Sequence, residues 1–179
     1  MSIETLGACR RVIVAAASRH GGTCEIADRI AATLDRELSF AWDVVRSDLS
    51  DLRELDDADA VVLGSAVYFG HWMHSAGRAL DYVKDAPLFD LWLFSTGPVS
   101  DVESAKELIA SANQMVERGQ AIEHKVFGGR LDTSKLNWAE RAAVKVVHAL
   151  PGDHRDWDQV DEWSQHIAGQ LRVVPARVG

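Results

Sequence analysis

Between an apolar run, Val12 to Ala17, and a stretch with apolar residues at helical spacing lie Ser18-Arg19-His20-Gly21-Gly22-Thr23. Those residue types suit one task, the holding of an anion. Ser18 and Thr23 offer hydroxyl donors, and Gly21 and Gly22 let backbone N–H groups come close to a phosphate. The run before the loop is short and rich in β-branched residues, as a buried strand is. From about Cys24 onward, Ile26, Ala27, Ile30, Ala31 and Leu34 recur as one face of a helix. Strand, turn and helix in that order bring successive N–H groups to a helix N-terminus, where the backbone dipole favours negative charge. The G-x-G-x-x-G fingerprint of dinucleotide sites is absent, and so is the Gly-Lys-Ser/Thr ending of a Walker A loop. A tight turn with no ligand is the plainer reading of the same residues.

The spacing Ser-x-x-Gly-x-Thr after a first strand resembles the phosphate loop of flavodoxins, which holds the terminal phosphate of FMN. The resemblance implies cofactor contacts at Ser18, Arg19, His20, Gly21, Gly22 and Thr23, with His20 standing where flavodoxins usually carry threonine. A flavin ring needs a flat apolar wall and backbone amides along its edge. Ala66-Val67-Tyr68-Phe69-Gly70-His71-Trp72 follows a later apolar run. Tyr68, Phe69 and Trp72 offer the wall, and Gly70 allows close backbone approach. Thr96, Gly97, Pro98, Val99 and Asp101, in a third loop, add further amides, while Ser100 or Asp101 also suits a helix N-cap. His71, at the rim of a ring face left open, is the candidate to orient a substrate. Core packing competes with flavin contact for each aromatic.

The elements that must position these loops follow from periodicity. Phe40 to Arg46 alternates as an edge strand, and Ala60 to Val67 is an almost wholly apolar run, read as a central parallel strand. Leu91 to Thr96 and Glu123 to Leu131 are the fourth and fifth strands, with helices expected up to about Lys84 and over 101–117. Ser134 to Leu150 reads as an extra amphipathic helix. Asp156 caps a final helix through about Leu171, with Val160, Trp163, Ile167 and Leu171 facing inward. Strands alternating with helices make a single α/β domain over 1–179, a three-layer sandwich with a five-stranded parallel sheet of order 2-1-3-4-5. In that order the ligand crevice lies at the carboxyl ends of strands 1 and 3, which brings the three loops together.

The wider chain resembles flavodoxin-domain proteins related to the menaquinone-dependent protoporphyrinogen dehydrogenases. The shared pieces are Ser18 to Thr23, Tyr68-Phe69-Gly70-His71, Val126-Phe127-Gly128-Gly129-Arg130-Leu131, Trp138-Ala139-Glu140-Arg141 and Asp156-Trp157. It implies an FMN-dependent oxidoreductase that passes electrons to a quinone or porphyrinogen-type molecule. Those dehydrogenases carry a longer basic segment before the final helix. Here only Leu150 to Arg155 stand there, which weighs against membrane-coupled chemistry.

Two other readings stay open: a flavodoxin-type electron carrier serving a protein partner, and a binding module that kept the fold without the cofactor. With 179 residues, 47% hydrophobic and 26% charged, the chain has the composition of an ordinary soluble domain. A net charge of −8 argues against phosphate-backbone binding as its main role. Cys9 and Cys24 make neither a disulfide framework nor a metal cluster. His71 and His74 share a helix face, but no further ligand completes a metal site. No secretory signal or membrane span is visible, so a cytoplasmic protein is expected. Its expected partner is a small molecule or a redox protein, with homodimerisation left open and nucleic acid excluded.

Overall fold

A computed structural model describes residues 9–68, 70–84, 90–97, 112–132, 134 and 151–173. Its elements are β1 (Arg10–Ala17), α1 (Gly22–Glu37), β2 (Trp42–Ser47), a 3-10 turn (Leu52–Asp57), β3 (Ala60–Tyr68), β4 (His71–Trp72), α2 (His74–Lys84) and β5 (Asp90–Gly97). After a helical stretch over 112–119 come β6 (Glu123–Gly128), β7 (Arg130–Leu131), β8 (Gly152–Asp153) and the last helix, α3 (Trp157–Val173). The long strands are all parallel, in the order β2-β1-β3-β5-β6. This is the expected 2-1-3-4-5 order, with the two-residue β4 counted.

The side-chain period of two sorts the strands between two cores. Val12, Val14 and Ala16 of β1 join Val62, Trp92, Phe94 and Phe127 against α1 and α3. Ile13, Ala15 and Ala17 join Val61, Leu63, Leu91 and Leu93 against α2 on the opposite face. Helices on both faces explain why these strands read as continuous apolar runs. Val160, Trp163, Ile167 and Leu171 of α3 are all buried, as their spacing predicts. Asp161 binds α3 to α1 by accepting from Arg29 at 2.7 and 2.6 Å and from Thr33 at 3.0 Å. Asp156 caps α3, its side chain accepting from the Gln159 N–H at 3.1 Å.

Several boundaries differ from expectation. The second strand begins at Trp42, leaving Phe40 fully exposed outside the sheet. α1 starts at Gly22, not Cys24, because Gly21 adopts the left-handed conformation (φ +84°) and turns the chain into the helix two residues early. The expected fifth strand is cut in two. A side chain at Gly128 would run into the His154 carbonyl, and Gly129 donates to the Gly97 carbonyl at 3.1 Å. The chain therefore bends after Gly128, and Arg130–Leu131 pair instead with Gly152–Asp153. Apart from Ser134, which sits in a turn, the expected helix over Ser134 to Leu150 lies outside the described residues, as does most of that over 101–117.

Candidate functional site

The registers place the carboxyl ends of three strands side by side. Ala17 sits opposite Ser65, Ala66 opposite Thr96, and Gly97 opposite Gly128. Two contacts tie the following loops together. Thr23 Oγ1 and Thr96 Oγ1 share a buried hydrogen bond of 2.7 Å, and the Arg19 guanidinium lies over the Tyr68 ring, 5.2 Å from its centroid. The crevice expected from topology is therefore bounded by Ser18 to Thr23, by Tyr68, Gly70 and His71 of the hairpin, and by the end of β5. Ala66, Val67, Thr96 and Gly97 are buried at its base. Phe69, Pro98, Val99 and Asp101 lie outside the described residues.

The start of α1 is shaped for an anion. Gly21 is its N-cap, and no side chain caps the helix. The Thr23 N–H reaches only the Ser18 hydroxyl, at a long 3.4 Å. Among the described residues, the N–H groups of Gly21 and Gly22 meet no acceptor. The first-turn donors of a helix need partners from outside it. A Cβ added at Gly21 would meet nothing within 4 Å, so the loop surface there is open. These donors fit a phosphate group.

Around that opening is a charge network that sequence reading missed. Glu25, in the first turn of α1, accepts from Arg130 Nη1 at 3.1 Å and from Arg155 at 2.6 Å, and Arg130 Nη2 pairs with its carboxylate at 2.9 Å. Arg155 also donates to Asp153 at 2.7 Å, stacks 4.6 Å from the Trp157 ring centroid, and keeps its side chain 4% exposed. The Arg155 guanidinium is the main cause that holds the Asp153 carboxyl down at about 2 and Glu25 below its ordinary value. The signals available in sequence were the Gly128-Gly129-Arg130 turn and an acidic residue in a first helical turn. Neither names its partner.

Trp72 goes into the core. It pairs back onto β3 in a short antiparallel hairpin, opposite Val67, with 9% of its surface exposed. Its indole donates to Ser95 Oγ at 2.7 Å, Ser95 contacts His124 Nε2 at 2.8 Å, and His124 Nδ1 contacts the Ala112 carbonyl at 3.0 Å. A carbonyl only accepts, so Nδ1 carries the proton and Nε2 accepts from the Ser95 hydroxyl. The Trp72 and His124 rings meet edge to face at 5.7 Å. Tyr68 is half-buried at the mouth, and Gly70 (φ +75°) and His71 are exposed at the hairpin tip. Met73 N–H donates to Ser65 Oγ at 2.9 Å, closing the hairpin onto β3. Among the described residues, no group of acids, histidines and cysteines could hold a metal ion, and no helix is long and apolar enough to cross a membrane.

The sequence profile of the flavodoxin domain matches residues 13–158. None of the curated proteins compared with the chain matches it. Among solved structures, a flavodoxin from Streptococcus pneumoniae is 18% identical, with a TM-score of 0.55 over 90% of this chain and 97% of that one. A flavodoxin from Pseudomonas aeruginosa is 12% identical, with a TM-score of 0.60 over 90% of this chain and 99% of that one. A flavodiiron core from Synechocystis is 14% identical at a TM-score of 0.60. There the match covers 93% of this chain but only 37% of the longer one. These likenesses establish a shared fold.

Proposed function

This chain belongs to the flavodoxin-domain family, and from that premise we propose that it binds FMN in the crevice and acts as an oxidoreductase toward a quinone or porphyrinogen-type small molecule. The observation that carries this reading is the uncapped N-terminus of α1, opened by left-handed Gly21, beside the Tyr68 hairpin. The N–H groups of Gly21 and Gly22 and the Ser18 hydroxyl hold the terminal phosphate. Tyr68 would offer the ring an aromatic wall, and backbone amides at the ends of β3 and β5 would offer it donors. FMN, when bound, supplies transfer of one or two electrons. The exposed His71 orients the incoming substrate at the rim. Cys9 and Cys24 are both free thiols, which fits a reducing cytoplasm. A second reading, a carrier serving a redox protein, draws on the near-complete coverage of simple flavodoxins by this chain.

Titration of the purified protein, followed by flavin fluorescence, tests the first step. One equivalent of FMN binds, and riboflavin, which lacks the phosphate, binds more weakly. Gly21→Val forces a β-branched residue into the left-handed region at a cost of about 1–3 kcal/mol. It should weaken FMN about tenfold or more and leave riboflavin nearly unchanged. Equal losses for both ligands would move the phosphate elsewhere. The FMN-loaded protein should reduce a soluble quinone without a partner protein, with His71→Ala lowering kcat more than FMN affinity. Turnover that requires an added redox protein would select the carrier reading.

A further inference from the structure

We propose that Arg130 is a phosphate-binding residue of this crevice, its guanidinium shared between Glu25 and the phosphate of the bound ligand. This assignment rests on the FMN reading above and adds a cation to a cradle otherwise made of backbone and hydroxyl donors.

Position is the first support. A Cβ added at Gly22 would lie 3.7 Å from Arg130 Cβ and 3.9 Å from its backbone nitrogen. The stem of Arg130 therefore starts against the first residue of α1, directly after the left-handed Gly21. The backbone holding it is fixed. Gly129 donates to Gly97, Arg130 pairs with Asp153 across β7 and β8, and the His154 N–H donates to the Gly129 carbonyl at 3.1 Å.

Donor arithmetic is the second support. A guanidinium has five N–H groups in a planar fork. Among the described residues, Arg130 donates one proton of Nη1 to Glu25, and its Nη2 lies 2.9 Å from the same carboxylate as an ion pair. Its Nε–H and two further protons remain for another acceptor at the same corner. Its side chain is 25% exposed, while that of Arg155 is 4% exposed.

Charge is the third. Glu25 in the first turn of α1 would by itself repel a phosphate. Arg155 already answers it at 2.6 Å and is held in turn by Asp153 and Trp157. Arg155 is thus the buried structural partner, and it keeps Glu25 compensated when Arg130 leans toward an anion. A guanidinium and a phosphate make paired, charge-assisted hydrogen bonds, which are the strong ones. The competing account is a purely structural Arg–Glu–Arg cluster pinning β7 to α1.

The two accounts separate in a pair of variants, each titrated with FMN and with riboflavin and each unfolded in urea without ligand. Arg130→Gln should weaken FMN by about tenfold to a hundredfold and change riboflavin little. Arg130→Lys keeps the charge but not the fork, and should recover part of that loss. Glu25→Gln releases Arg130 to the phosphate, so FMN affinity should hold or rise even as the urea midpoint falls. Arg130 is structural only if Arg130→Gln lowers FMN and riboflavin equally, or if Glu25→Gln loses as much FMN affinity as Arg130→Gln. A wild-type protein that binds no FMN overturns the flavin reading and this assignment with it. Wild-type FMN binding with an unaffected Arg130→Gln variant overturns this assignment alone.

Discussion

Phe94→Ala should lower the unfolding free energy by about 3–5 kcal/mol, the range for truncating a fully buried aromatic. Phe94 is 0% exposed, and its ring meets Phe127 at 6.0 Å and Trp163 at 6.2 Å, both edge to face. The ring also lies against Gly64, its register partner on β3, where an added Cβ would collide with the ring's Cζ. The aromatic cluster and the glycine are two halves of one packing solution. Gly64→Ala alone should therefore cost about 1–3 kcal/mol through overpacking. In the Phe94→Ala background the same methyl group enters vacated space, so its cost should fall to about zero. Urea unfolding of both single variants and the double variant measures the coupling. Simple additivity to within about 0.5 kcal/mol would show that the ring does not occupy the space above Gly64.

Acid should destabilise the ligand-free fold in a window set by one histidine. Burial pushes His124 down to about 4 from its ordinary 6.5, outweighing the hydrogen bond to the Ala112 carbonyl. Between those values the unfolded chain holds a proton that the folded chain does not, so stability falls as pH falls. The loss begins near pH 6.5 and is complete near pH 4, amounting to about 3 kcal/mol. The paired carboxylates of Glu25, Asp153 and Asp161 are pushed to lower values too, but they start from ordinary values near 4, so their loss of stability falls mainly below this window. His124→Gln retains a donor for Ala112 and an acceptor for Ser95 without a titrating ring. Its stability should be nearly flat from pH 6.5 to pH 4. A wild-type protein equally stable across that range would show that His124 is not held neutral by its burial.

The strands, the helices and the phosphate-type loop were legible in the amino-acid sequence because each is decided locally. Val12 to Ala17 and Ala60 to Val67 can be nothing but strands covered on both faces, and Val160, Trp163, Ile167 and Leu171 mark one side of a helix. The order of sheet and helices then followed, and with it the meeting of Ser18 to Thr23 with Tyr68 and Thr96. Side-chain fate at the end of each strand was another matter. Trp72, four residues after Tyr68, looks the same in sequence whether it faces a ligand or the core. It turns inward because Ser95 and His124, on two other strands, complete a hydrogen-bond chain with its indole. Glu25 gives no sign of its partners, since Arg130 and Arg155 lie 105 and 130 residues away. The bend after Gly128 is likewise set by the His154 carbonyl passing over it. Local periodicity fixes which backbone segments form. Which polar side chains share a buried site depends on contacts between distant segments, where desolvation demands a partner but the chain order does not name one.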